Sequence, residues 1–144
     1  IEKTKAGSNF AGFEAEDING KAVNYESLKG KLVYVDVWAT WCKPCLQELP
    51  AMKALQEEYK GKDITFVSLS VDKDKEAWKA MVTEEKMQGV QLHIDLGAHR
   101  DFIENYDLTG IPRFFLISKE GKIISISAPR PSEAKIKELI NANL

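Results

Sequence analysis

The sequence predicts an α/β domain built on a central mixed β-sheet with helices on both faces. Two apolar runs rich in β-branched and aromatic residues, at 32–39 and 64–71, read as strands buried on both sides. Around them, apolar residues recur every three or four positions, which is helical spacing. The two kinds of run alternate along the chain and close with a hairpin and a helix, so parallel and antiparallel pairs must share one sheet.

Taken in order, FEAEDINGKAVNYESLKGK carries Asn19-Gly20 between short strand-like runs. Both residues accept positive φ, so a tight β-hairpin is expected to open the fold. LVYVDVWA, residues 32–39, is apolar on both faces apart from Asp36. Over residues 43–59 the apolar positions Leu46, Leu49, Met52, Leu55 and Tyr59 are spaced for a helix, which Pro50 is expected to kink rather than end. ITFVSLSV, residues 64–71, is the second buried strand. In DKDKEAWKAMVTEEK the pairs Ala77/Trp78 and Met81/Val82 share one helical face. QLHI, residues 91–94, reads as a short strand, and Phe102, Ile103 and Tyr106 mark a short helix. RFFLIS, a turn at residues 119–122 and IISIS make a second hairpin. The last helix is expected just after Pro131, with Ser132 as its N-cap and Ile136, Leu139 and Ile140 inward.

No repeat or linker divides the 144 residues, so a single domain over 1–144 is expected. A chain of this length buries roughly 70% of the surface its unfolded form exposes, which is enough for a core of its own. The composition, 44% apolar and 29% charged, is that of a globular domain, and no segment approaches the roughly 18 apolar residues of a membrane span. Twenty basic against twenty-two acidic residues leave a net charge of -2 without a basic block, which excludes nucleic acid as an expected partner. The chain begins at Ile1 with nothing like a signal peptide, so it is expected to be a processed form or an excised part of a longer protein.

Both cysteines lie in WATWCKPCLQELP, residues 38–50. A disulfide across so short a loop removes little entropy from the unfolded chain, so it makes a poor staple. Zinc needs four ligands, and the other candidates, His93 and His99, fall on different expected elements. Those two histidines read as ordinary surface or strand-edge residues. Redox chemistry remains. At the start of a helix Cys42 meets unpaired N–H groups and the helix dipole, which lower a thiol's pKa below about 8.5. Cys45 lies about one turn on, within disulfide reach and shielded by the chain around it, which suits a resolving thiol. Pro44 has no N–H to lose in the first turn, and Lys43 adds a positive charge beside the thiolate.

VDVWATWCKPC resembles the active-site segment of the thioredoxin superfamily, and DLTGIPRF, residues 107–114, resembles its loop with a cis-proline facing the disulfide. Pro50, five residues after the second cysteine, matches the kink of the same helix. The likeness runs from about residue 10 to 140 and implies a thioredoxin fold. It is closest to the TlpA/ResA-like group of extracytoplasmic thiol-disulfide oxidoreductases, whose N-terminal β-hairpin and central helix-strand insertion resemble residues 10–25 and 72–95. The group's Cys-x-Pro-Cys-x-x-Glu-x-Pro pattern reads here as Cys42, Pro44, Cys45, Glu48 and Pro50.

The resemblance implies catalytic roles for Cys42, Cys45, Asp36, Glu48 and Pro112. Cys42 and Cys45 form the redox disulfide. Asp36 matches the family's buried acid; a carboxyl in an apolar strand has a raised pKa and can take the proton that Cys45 must lose. Glu48 matches a glutamate that tunes the thiols. A cis bond before Pro112 would let the backbone of Ile111 pair with an incoming substrate strand. Trp41, Lys43, Pro44, Ile111 and Arg113 are the expected substrate contacts, whereas Trp38 fits the core equally well. The group implies disulfide-bearing protein substrates, such as apocytochrome c or misoxidised envelope proteins, and an upstream membrane thiol-relay reductant. It also implies an address in the bacterial periplasm or cell envelope. The chemistry requires no metal, flavin or nucleotide cofactor. A disulfide oxidase or isomerase would use the same residues, and a non-catalytic binding module would keep the fold without both thiols. A peroxidase is disfavoured, because Thr40 stands two residues before Cys42 rather than three and position 35 is Val.

Overall fold

In the computed structural model, which describes residues 5–144, seven strands form one sheet. They are β1 (Glu14–Glu16), β2 (Ala22–Asn24), β3 (Leu32–Trp38), β4 (Ile64–Ser70), β5 (Val90–His93), β6 (Arg113–Ile117) and β7 (Ile123–Ser125), in the spatial order β2-β1-β5-β4-β3-β6-β7. β3, β4 and β5 run parallel and the remaining pairs are antiparallel, which is the mixed sheet expected. The helices are α1 (Lys43–Gln47), α2 (Leu49–Glu58), α3 (Lys75–Glu84), α4 (Arg100–Tyr106) and α5 (Lys135–Asn143). The steps from β3 to β4 and from β4 to β5 go the same way, and crossovers of one hand place α1, α2 and α3 on one face.

β3 is buried along its whole length, and its alternation divides the core. Val33, Val35 and Val37 join Phe10, Phe13, Tyr25 and the α4 residues Phe102 and Tyr106. Leu32 and Tyr34 join Met52 and Leu55 of α2 with Ile136 and Ile140 of α5. Trp38, also on an even position, joins Cys42, Cys45 and the α3 residues Trp78 and Val82. Helices therefore cover both faces, and the thioredoxin-like fold, its N-terminal hairpin and its α3-β5 insertion stand as expected. Among the described residues no helix is long and apolar enough to cross a membrane.

Three local expectations need correction. The first hairpin exists, but its connection spans residues 17–21 and only Gly20 has positive φ, at 82°. Asp17 makes the difference: its carboxylate accepts the N–H groups of Asn19 and Lys21 at 2.9 and 3.0 Å and stabilises the longer loop. The expected single kinked helix is two helices joined at Glu48, two residues before Pro50. Pro50 has no N–H for the carbonyl of Leu46, so the ladder fails within the preceding turn, and the Glu48 N–H turns back to the carbonyls of Cys45 and Leu46. Finally, α5 starts at Lys135 after Ala134, which makes no side-chain cap, instead of following Ser132. Ser132 has another partner, described below.

Candidate active site

β3 ends at Trp38 in the middle of the sheet and α1 begins at Lys43, so residues 39–42 lie beyond the carboxyl ends of the parallel strands, where α/β sheets place their sites. Cys42 is the N-cap of α1, with extended φ and ψ of −88° and 100°. Its carbonyl accepts the Leu46 N–H at 3.0 Å, and its own N–H donates to the Ala39 carbonyl at 3.1 Å. Its Sγ accepts the N–H of Cys45 at 3.3 Å, which a free thiolate would strengthen into a charge-assisted bond. The two cysteines form a disulfide with their Cα atoms 5.2 Å apart. Pro44, second in α1, gives up no bond there. Both cysteines are only 4% exposed, so in this oxidised state burial does not separate them. Around them the chain is open: Trp41 is 70% exposed, and Lys43 and Pro44 are also exposed. Trp38, by contrast, is core.

Asp36 lies two residues before the end of β3, on the same pleat as Tyr34 and Trp38 and hence on the side of α1 and α2. It is 7% exposed. Burial, and after it the negative charge of Glu48, push its carboxyl up from the ordinary 3.8 to about 7. Tyr34 beside it is also raised, by burial first and then by Asp36, Glu48 and Glu133; its hydroxyl donates to the Pro129 carbonyl at 2.6 Å.

Glu48 sits at the joint between α1 and α2 and is half-buried. Its Oε1 accepts the Ser132 N–H at 3.0 Å and its Oε2 accepts the Ser132 hydroxyl at 2.8 Å. The glutamate therefore ties the kink of the cysteine helix to the loop before α5. That contact occupies the hydroxyl expected to cap α5, and no spacing in the chain could disclose it across 84 residues.

From the opposite side comes the loop between α4 and β6. The Ile111–Pro112 peptide bond is cis, and Ile111 packs against the cluster that holds both cysteines. Arg113, at the start of β6, is occupied with the protein's own backbone. Its Nη1 donates to the carbonyls of Tyr106 and Ile126 at 2.9 and 3.3 Å, and its Nη2 donates to that of Asp107 at 2.6 Å. Tyr106 and Asp107 end α4, Asp107 in the left-handed region at φ 48°, so the guanidinium joins the two ends of the loop.

Asp72 carries no sequence signal of a role at the site, and Thr40 enters the sequence only as a mismatch to a peroxidase motif. Asp72, 3% exposed just past β4, accepts both the N–H and the hydroxyl of Thr40, two residues before Cys42. In the sequence it looks like Asp74, which does cap α3. His93, expected at the surface or a strand edge, is the last residue of β5 and is buried, 5% exposed, and its Nε2 donates to the Asp72 carbonyl at 2.5 Å. His99 precedes α4 without capping it. Among the described residues, no three or more His, Cys, Asp and Glu side chains are gathered where they could hold a metal ion.

The model of the Redoxin family matches residues 5–140. The chain is 32% identical over 140 residues to the thiol-disulfide oxidoreductase ResA of Bacillus subtilis, covering 97% of this chain and 76% of that one. A crystal structure of a thiol-disulfide oxidoreductase from Bacteroides vulgatus superposes with a TM-score of 0.91 at 37% identity and covers 100% of both chains. A solution structure of a thiol-disulfide oxidoreductase from the same organism gives a TM-score of 0.82 at 51% identity, covering 99% of this chain and 92% of that one.

Proposed function

Since the chain belongs to the Redoxin family and is a thiol-disulfide oxidoreductase, we propose that it works as a dithiol reductant of disulfides in extracytoplasmic proteins. The observation that carries this reading is the Cys42–Cys45 pair at the head of α1, with the Cys45 N–H aimed at the Cys42 sulfur. In the reduced protein the Cys42 thiolate attacks one sulfur of a substrate disulfide, and the other sulfur leaves as a thiolate that takes a proton from water. A mixed disulfide now joins Cys42 to the substrate. Cys45 loses its proton and attacks the Cys42 sulfur, expelling the second substrate thiol and closing the disulfide seen in this structure. Two electrons have passed from the dithiol to the substrate. Asp36, raised to about 7, is suited to accept the Cys45 proton near neutral pH.

Trp41, Lys43, Pro44 and Ile111 form the surface a substrate meets, with the Ile111 backbone beside Pro112 as the place for an extended segment to pair. Arg113 serves that surface from beneath, and Glu48 acts on the pair through Asp36. From the likeness of its motifs to the TlpA/ResA-like group we further infer substrates in the bacterial periplasm or cell envelope, a membrane thiol relay as electron donor, and a place in cytochrome c biogenesis.

Insulin reduction tests the reading: wild type should turn over with a dithiol as donor, and Cys42→Ala should abolish turnover. Equal rates for the two proteins would leave a binding module as the better account. Cys45→Ala should accumulate mixed disulfides, and a variant that traps no thiol-linked partner would remove the resolving role.

A further inference from the structure

The turn that presents Cys42 is anchored by a buried carboxylate that the reaction itself does not use. Both oxygens of Asp72 lie 3.1 Å from the Thr40 N–H, and Oδ1 accepts the Thr40 hydroxyl at 2.7 Å. Oδ2 accepts the Ser70 hydroxyl at 2.5 Å, while the Ser70 oxygen takes the Asp72 N–H at 3.0 Å. Asp72 is itself fixed from two sides. The N–H of Val71 donates to the Trp38 carbonyl at 2.9 Å, and His93 reaches over from β5 to the Asp72 carbonyl. Ser70, Asp72 and His93 are all at most 5% exposed. A buried carboxylate with this many donors persists only where it is fully satisfied, and here one residue supplies most of its bonds.

We propose that Asp72 is a positioning residue for the dithiol, acting through Thr40. The turn from Ala39 to Cys42 is closed by its own hydrogen bond, Cys42 N–H to the Ala39 carbonyl. Thr40 is the second residue of that turn, so clamping its N–H and hydroxyl sets the direction in which the chain delivers Cys42 to α1. The Sγ of Cys42 then meets the Cys45 N–H, and that bond favours the thiolate over the thiol. A loosened turn would let the sulfur drift from this donor and raise its pKa.

This inference rests on Cys42 being the attacking thiol, and the test separates the two ideas. In the reduced protein, the rate of Cys42 alkylation is followed against pH for wild type, Thr40→Val, Thr40→Ser and Asp72→Asn. Thr40→Val deletes the hydroxyl bond but leaves Asp72 paired with Ser70, so it keeps the question open even where Asp72→Asn does not fold. The expected result is a pH midpoint displaced upward in Thr40→Val, with roughly three- to tenfold slower alkylation at pH 7, and recovery in Thr40→Ser. A folded Thr40→Val with an unchanged midpoint, even at reduced melting temperature, would make Asp72 a purely structural residue and overturn the proposal. Loss of insulin reduction by wild type would instead overturn the reading of the dithiol on which it stands.

Discussion

Two segments meet at the dithiol, residues 39–48 and residues 107–113, and they are held by charges of opposite sign. The first is gripped by carboxylates: Asp72 collects the N–H and hydroxyl of Thr40, and Glu48 reaches to Ser132. The second is gripped by a guanidinium, since Arg113 collects the carbonyls of Tyr106, Asp107 and Ile126. On the proline side the sign follows from a helix end: chain leaving a helix offers free carbonyls and needs donors, and two of the three carbonyls that Arg113 binds, those of Tyr106 and Asp107, close α4. Burial differs as well. Asp72 is 3% exposed, while Arg113 is half-buried and its partners run from buried Tyr106 to exposed Asp107. The cysteine side is thus locked into the core, and the proline side is braced from its rim.

Titration gives the largest expected contrast, because only the cysteine side carries a displaced carboxyl. Between about pH 4 and pH 7 the folded chain keeps a proton on Asp36 that the unfolded chain has released. Stability from this group is therefore present at low pH, falls as pH rises through that window, and levels off above about 7. The gap from 3.8 to about 7, at about 1.4 kcal/mol per pH unit, corresponds to roughly 4 kcal/mol. Asp36→Asn should remove that slope, raise the urea midpoint at pH 8 and slow insulin reduction. An Asn variant with the wild-type pH dependence would place the titrating group elsewhere.

Next in size is Asp72→Ala, which strands the buried Ser70 hydroxyl and the part-buried Thr40 donors and should cost about 3 kcal/mol in urea unfolding. Arg113→Met should cost less, about 1–2 kcal/mol, because water can reach the exposed Asp107 carbonyl it abandons. Its main effect should be on turnover of protein disulfides, with the rate toward a small aromatic disulfide little changed. A larger stability loss for Arg113→Met than for Asp72→Ala would break the contrast between core and rim. Smallest is Ser132→Ala, which removes one hydroxyl bond to Glu48 and leaves the N–H bond; about 0.5–1 kcal/mol is expected.

What was legible in the sequence follows the range of each interaction. The strands at 32–39 and 64–71 were plain because full burial demands a continuous apolar run, and β3 and β4 match them to within one residue. The dithiol was legible because its chemistry lies in four consecutive residues. Element ends were less so. Ser132 has the chemistry of an N-cap, yet it serves Glu48, and a turn residue like Asp17 lengthens a hairpin that Asn19-Gly20 alone would make tight. Asp72 escaped because a buried acid and a capping acid look alike in DKD, and only the fold sends Asp72 inward to Thr40 and Asp74 outward to α3. Arg113 reads as a charge beside the site until its three carbonyl partners are known.

The central claim is that Cys42 and Cys45 pass electrons to substrates, and the reduction potential of the pair tests it most directly. Equilibration of wild type with glutathione or dithiothreitol buffers should give a value near that of a reducing thioredoxin, about -270 mV. A value near about -120 mV, where the dithiol form is the favoured one, would make the protein an oxidant and contradict the account.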